Sequence, residues 1–255
     1  MTLAWDSLGA GHPVLLVHST VCDRRMWQPQ MSVLAAAGYR AIRCDLQGFG
    51  ETPAPAAPYD DAGDLDALLD ALGVEQVALV AASGGGQVAL EFAARRPGRV
   101  TALALLATAL AGHPASPARR AFAEREDQLL AAGELEAAAE LNVRTWVGPA
   151  ADEQTRARVR DMQRHNFEVQ LAAAQEFPEL DTSFDLADIT ADTLLVSGDH
   201  DLIDFREIAV ELAGRLPRAR HVPLPWAGHL PSLESPERLN PLLLDFLRTP
   251  AAAPG

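Results

Sequence analysis

No lysine occurs in this 255-residue chain, whose 21 basic side chains are all arginine. That absence removes the phosphate-gripping lysine of a P-loop, a Schiff-base amine and a lysine general base. Cysteine is scarce too: Cys22 and Cys44 form no CxxC pair and stand beside no histidine cluster at metal-ligand spacing. A disulfide framework and a metal site are thereby excluded, and the residues suggest a buried strand position for Cys44 and a pocket-lining one for Cys22. Long apolar runs are missing. The longest, VTALALLATALAG from Val100, is too short for a membrane span, and the stretch MTLAWDSLGAGHP has no basic region leading into an apolar one. The expectation is a cytoplasmic protein without a membrane partner. Positive charge is outweighed, leaving a formal net charge of −14, so the field of the whole chain repels nucleic acid and anionic lipid alike.

What is present alternates. Short apolar runs (HPVLLVHS, GYRAIRCD, EQVALVAA, VTALALLA, DTLLVSG, RHVPLP) are separated by helical patterns such as DDAGDLDALLDALG, FREIAVELAGRL and PERLNPLLLDFL. This predicts an α/β fold with a doubly wound, mostly parallel sheet, whose chemistry sits at the carboxyl ends of the strands. The alternation breaks once, in the Arg/Glu-rich helical stretch 113–185. We read that stretch as a helical cap inserted into a core made of residues 1–112 and 186–255. The tail TPAAAPG reads as a short frayed end. No coiled-coil pattern or isolated apolar helix face stands out, so the oligomeric state stays open.

Within VALVAASGGGQVAL, Ser83 lies between an apolar run and three consecutive glycines. Glycine inside an element costs roughly 0.5–1 kcal/mol relative to alanine, so Gly84, Gly85 and Gly86 need a reason. A dinucleotide cradle is one reading, since Gly84, Gly86 and Ala89 satisfy GxGxxA. It also requires an acidic residue about 20 positions on, and no Asp or Glu occurs from Phe92 to Ala123. A strained elbow presenting Ser83 is the other reading, with the small residues Ala81 and Gly85 letting the helix pack close to the strand. A serine hydroxyl needs a base oriented by an acid. After the cap, LLVSGDHDLID ends one strand with carboxylates and WAGHLPSLESP follows the next with a histidine. The order serine, acid, histidine is met.

Four ordered motifs, HSTVCDRRMW, DLQGFGET, GDHD and AGHLPSLESPE, together with the elbow, resemble the α/β-hydrolase superfamily along nearly the whole chain. The DRRMW run, the elbow and the cap are most similar to the enol-lactonase and cofactor-free haloperoxidase/esterase branch. The resemblance implies Ser83 as nucleophile, Asp201 as acid, His229 as base, and the backbone N–H groups of Thr20 and Gly84 as an oxyanion hole. It implies a small ester or lactone as substrate, with no cofactor. His18 would hydrogen-bond within its own loop. C–C bond hydrolysis, perhydrolysis and natural-product tailoring use the same triad, and a ligand-binding or weakly active protein of the same fold is the alternative of another class. The chain departs from the pattern at Ser19, Ala81 and Gln47, where the family has glycine, glycine and arginine. Arg24 and Arg25 suit either a solvated helix start or a carboxylate contact. Arg144, Trp146 and Phe167 of the cap are candidate substrate contacts.

Overall fold

The protein is described by a computed structural model covering residues 3–180 and 182–248, so the TPAAAPG tail lies outside the described residues. Seven strands form one sheet: β1 (Trp5–Leu8), β2 (His12–Val17), β3 (Tyr39–Cys44), β4 (Val77–Ala82), β5 (Val100–Leu106), β6 (Asp192–Gly198) and β7 (Ala219–Leu224). Their spatial order is β1-β3-β2-β4-β5-β6-β7, parallel throughout except for the antiparallel edge pair of β1 and β3. Every residue of β4 is buried, as a strand covered on both faces requires. The edge strand β1 escaped the sequence reading because its burial is almost nil. Without an apolar face it carries no period-2 signal.

Helices α1 (Gln28–Ala36), α2 (Asp61–Ala71) and α3 (Ser83–Arg95) connect the first strands. Then α4 (Pro117–Ala131), α5 (Leu135–Trp146) and α6 (Glu153–Leu171) follow one another between β5 and β6 with no strand among them. The chain closes with α7 (Ile203–Arg215), the short α8 (Pro231–Glu234) and α9 (Pro236–Arg248). α9 shows how patterning seats a helix: Leu239, Leu243 and Phe246 are its buried residues, at i, i+4 and i+7, and α9 packs on α1. The chain runs from β2 outward to β3 and then crosses to β4 on the other side of β2. That reversal opens a crevice beyond the carboxyl ends of β2 and β4, and residues 18–22 and Ser83 lie there.

Among the described residues no helix is long and apolar enough to cross a membrane, and no group of three or more His, Cys, Asp or Glu side chains is arranged to hold a metal ion.

Candidate active site

Ser83 is the point where β4 becomes α3. Ala82 is still extended (φ −124°), while Ser83 has φ +53°, a left-handed conformation that costs a residue with a Cβ on the order of 1–2 kcal/mol. The strain is held by close packing on every side. A Cβ at Gly85 would lie 2.2 Å from the His18 carbonyl oxygen, one at Gly86 2.3 Å from Thr108 Oγ1, and one at Gly84 2.6 Å from Thr20 Cγ2. The three glycines therefore let the helix start pass between the β2 and β5 loops. First-turn N–H groups of a helix, that of Gly84 included, have no partner within the helix and carry its positive dipole end.

The acid and the histidine follow β6 and β7. Asp201, with its side chain fully buried, follows β6; its Oδ1 accepts the Leu202 N–H at 2.7 Å and its Oδ2 lies 2.7 Å from His229 Nδ1. A carboxylate there fixes the proton on Nδ1 and leaves Nε2 as the accepting nitrogen. The other residues of GDHD, Asp199 and His200, are exposed. The backbone around His229 is gripped from both sides: Glu234 accepts the Gly228 N–H at 2.7 Å and the Leu230 N–H at 2.9 Å, while the His229 N–H donates to the Trp146 carbonyl at 3.2 Å. Its ring packs between Phe205 (centroids 4.3 Å) and Trp146 (4.7 Å).

The loop after β2 is equally fixed. Burial lowers the pKa of His18 and keeps it neutral. Its Nε2 accepts the Leu46 N–H at 3.0 Å, so Nδ1 carries the proton and donates to the Ser19 carbonyl at 2.9 Å. Ser19 Oγ accepts the Val21 N–H at 3.3 Å, which puts the departure from glycine to use inside the loop. From α6, the Gln163 amide, oriented to satisfy its neighbours, donates to the Thr20 and Val21 carbonyls at 3.2 and 3.0 Å, and Asn166 donates to the Cys22 carbonyl at 2.9 Å.

Thr20, Ser83, Gly84 and His229 border one cavity of about 460 Å³, closed by Trp146 and Phe167 and by Phe49, Phe122, Phe205 and Gln163. A larger groove of about 570 Å³, between Pro53–Ala56 and Val169–Phe177, is bordered by no titratable side chain and offers no chemistry.

Three expectations need correction. Arg144 lies outside the cavity: it is two positions from both Asn142 and Trp146, which puts it on the opposite face of α5, where its side chain is 76% exposed and pairs with Glu140 at 2.9 Å. Cys22 is core rather than pocket lining, fully buried with its thiol pKa pushed well up by that burial. Arg24 is neither solvated nor free for a ligand. It is 15% exposed and ion-paired with Asp6, Asp45 and Glu51, while Arg25 pairs with Asp23 at 2.6 Å.

Several lining residues went unread in the sequence. On α4 they are Arg119, Phe122, Ala123, Glu126 and Leu130, at i, i+3, i+4, i+7 and i+11; on α6 they are Gln163 and Gln170, which with the expected Phe167 stand at i, i+7 and i+4. The helical period was the available signal. Phe205 carried none beyond its place four residues after Asp201.

Residues 12–236 match the family described as alpha/beta hydrolase fold. A solved thermophilic esterase from Thermogutta terrifontis is 30% identical, with 96% of this chain and 93% of that one covered and a TM-score of 0.75. The enol-lactonase from Burkholderia xenovorans LB400 is 26% identical, with 97% and 96% covered and a TM-score of 0.78. Epoxide hydrolase 2 of Siraitia grosvenorii is 43% identical over 102 residues, which are 38% of this chain and 32% of that protein, so the chain spans about a third of that relative's length.

Proposed function

Because this chain belongs to the alpha/beta hydrolase family, we propose that it is a serine hydrolase of small esters or lactones, with Ser83, His229 and Asp201 as its triad. One observation carries the reading: Ser83, at φ +53° on a strand-to-helix turn, borders the same cavity as His229, whose Nδ1 is 2.7 Å from Asp201 Oδ2. In this mechanism Ser83 Oγ attacks the substrate carbonyl while His229 Nε2 takes its proton. The N–H groups of Gly84, at a helix start, and of Thr20, in the loop after β2, stabilise the oxyanion as preorganised donors. His229 then protonates the leaving alkoxide. Water, deprotonated by the same nitrogen, releases the acyl group.

We assign residues 113–185 the role of a cap. Its support is that α4, α5 and α6 all contribute to the cavity lining. The esterase and lactonase relatives favour a carboxylic ester or lactone as the reacting group. Treatment with a fluorophosphonate probe, followed by mass mapping, tests the reading. A single adduct on Ser83, lost in Ser83→Ala and strongly slowed in His229→Ala, is expected, together with multiple turnover of esters or lactones. A folded protein that takes no adduct and turns over no ester or lactone has another function.

A further inference from the structure

Among the described residues that border the cavity, Glu126 is the one carboxylate. Glu126 of α4 and Asn142 of α5 lie side by side on the cavity wall, and the Asn142 amide donates both to Glu126 Oε1 and to the Ala138 carbonyl, the latter at 3.0 Å. Asn142 is 2% exposed and so anchored; it fixes the direction of the carboxylate. Glu126 is half-buried and makes no ion pair among the described residues, although arginine is abundant on the same helix. Among the described residues its other oxygen has no hydrogen-bond partner. A carboxylate set in a cavity with a neutral amide as its side-chain partner lacks the cation that Arg24 supplies to the buried Asp45.

Its place relative to the chemistry follows from the helices. Phe122 packs edge-on to Trp146 (centroids 4.8 Å), and Trp146 packs on His229. Glu126 is four residues after Phe122 and Asn142 four before Trp146, so both lie one helical turn, roughly 6 Å, from that ring pair. Arg119, two turns from Glu126 on α4, lies over Phe205 at 5.6 Å and so borders the His229 end.

The geometry points to Glu126 as a specificity-determining residue that receives a protonated amine on the substrate, several bonds from the scissile carbonyl. The substrate class is then an amine-bearing ester or lactone rather than a plain alkyl one. Aromatic rings line the cavity between the two points and suit an apolar spacer. Burial raises the Glu126 pKa, with the Asn142 hydrogen bond opposing, which agrees with a carboxylate whose counter-charge arrives with the ligand.

This inference rests on the hydrolase reading, and its test separates the two. Ethyl esters of ω-amino acids with four to eight carbons are compared with ethyl esters in which a methyl group replaces the amine. At the best-fitting length the ratio of kcat/KM for amine over alkyl exceeds one. Glu126→Gln lowers that ratio by about tenfold, chiefly through KM, and Glu126→Asp restores part of it. A ratio that Glu126→Gln leaves unchanged, or a wild-type preference for alkyl at every length, overturns the inference. Binding of the corresponding ω-amino alcohols, followed by thermal shift, needs no turnover: stabilisation of the wild type that is lost in Glu126→Gln supports the amine site even where no ester is cleaved. Stabilisation in neither protein, with esters cleaved, leaves the hydrolase and removes the amine site.

Discussion

Gly148, just past the end of α5, and Gly228, beside His229, touch backbone to backbone: a Cβ on Gly148 would lie 2.4 Å from the Gly228 nitrogen and 2.3 Å from Glu234 Oε2. The segment that closes the cavity is thus pressed against the loop that carries the imidazole. Gly148→Ala should push that loop away from Ser83. We expect kcat on a simple ester to fall by about 10- to 100-fold, since misplacement by ~1 Å is worth that much, with KM little altered. Gly214→Ala is the control, because its Cβ meets nothing within 4 Å and it lies inside α7, where alanine adds roughly 0.5–1 kcal/mol. Unchanged kcat in Gly148→Ala would mean that the loop yields without moving His229.

The glycines after Ser83 can be told apart by what they touch. A Cβ at Gly84 meets the Thr20 methyl at 2.6 Å, whereas one at Gly85 meets the His18 carbonyl at 2.2 Å. The first clash is with the end of a side chain and the second with backbone. Both Gly84→Ala and Gly85→Ala should slow fluorophosphonate labelling of Ser83. Adding Thr20→Ser, which deletes the methyl and keeps the backbone N–H, should return much of the rate to Gly84→Ala and none to Gly85→Ala. Rescue of both variants, or of neither, would show that the triplet serves backbone freedom rather than these contacts.

The strands were legible because β4, β5 and β6 are nearly continuous apolar runs ending in small or polar residues. Ser83, Asp201 and His229 stood out as candidates because each follows a strand, β4, β6 and β7 respectively. What the sequence hid was direction. The face that α4 and α6 turn toward the cavity is set by tertiary packing, so Glu126 and Gln163 looked like ordinary surface residues, and Arg144 looked as eligible as Trp146 two positions on. Arg24 was misread because its partners Asp6, Asp45 and Glu51 lie up to 27 residues away. No local spacing reveals such a cluster.

Asp201 can be tested without disturbing packing. Asn has nearly the same shape, but it presents either an oxygen or an amide to His229 Nδ1 and lacks the charge that stabilises an imidazolium. Asp201→Asn should lower kcat by about 10³–10⁴-fold while the fold, followed by circular dichroism, stays intact. A loss of less than about tenfold would assign the orienting role elsewhere, and Glu234, which holds the backbone on both sides of His229, would be the next residue to vary.

Asp61, the first residue of α2, is a buried carboxyl with an unpartnered Oδ1, and its pKa is raised to about 7, first by burial and then by the facing charges of Glu179 and Asp64. The unfolded chain ionises near the ordinary aspartate value of about 3.9. Between those two values the folded state holds a proton that the unfolded state has lost, so Asp61 makes stability fall as pH rises from about 4 to about 7, and the penalty stays constant above that. Asp61→Asn cannot ionise. Its stability relative to the wild type should therefore improve across that window by the order of 1–3 kcal/mol, read as a higher denaturation midpoint at pH 8 and none at pH 4. The segment bearing Glu179 is tied to the same place, since the Leu180 N–H donates to the Tyr59 carbonyl at 2.7 Å, so Glu179→Gln should give a smaller gain of the same sign. Equal effects of Asp61→Asn at pH 4 and pH 8 would mean that the carboxyl matters for its shape and not for its charge.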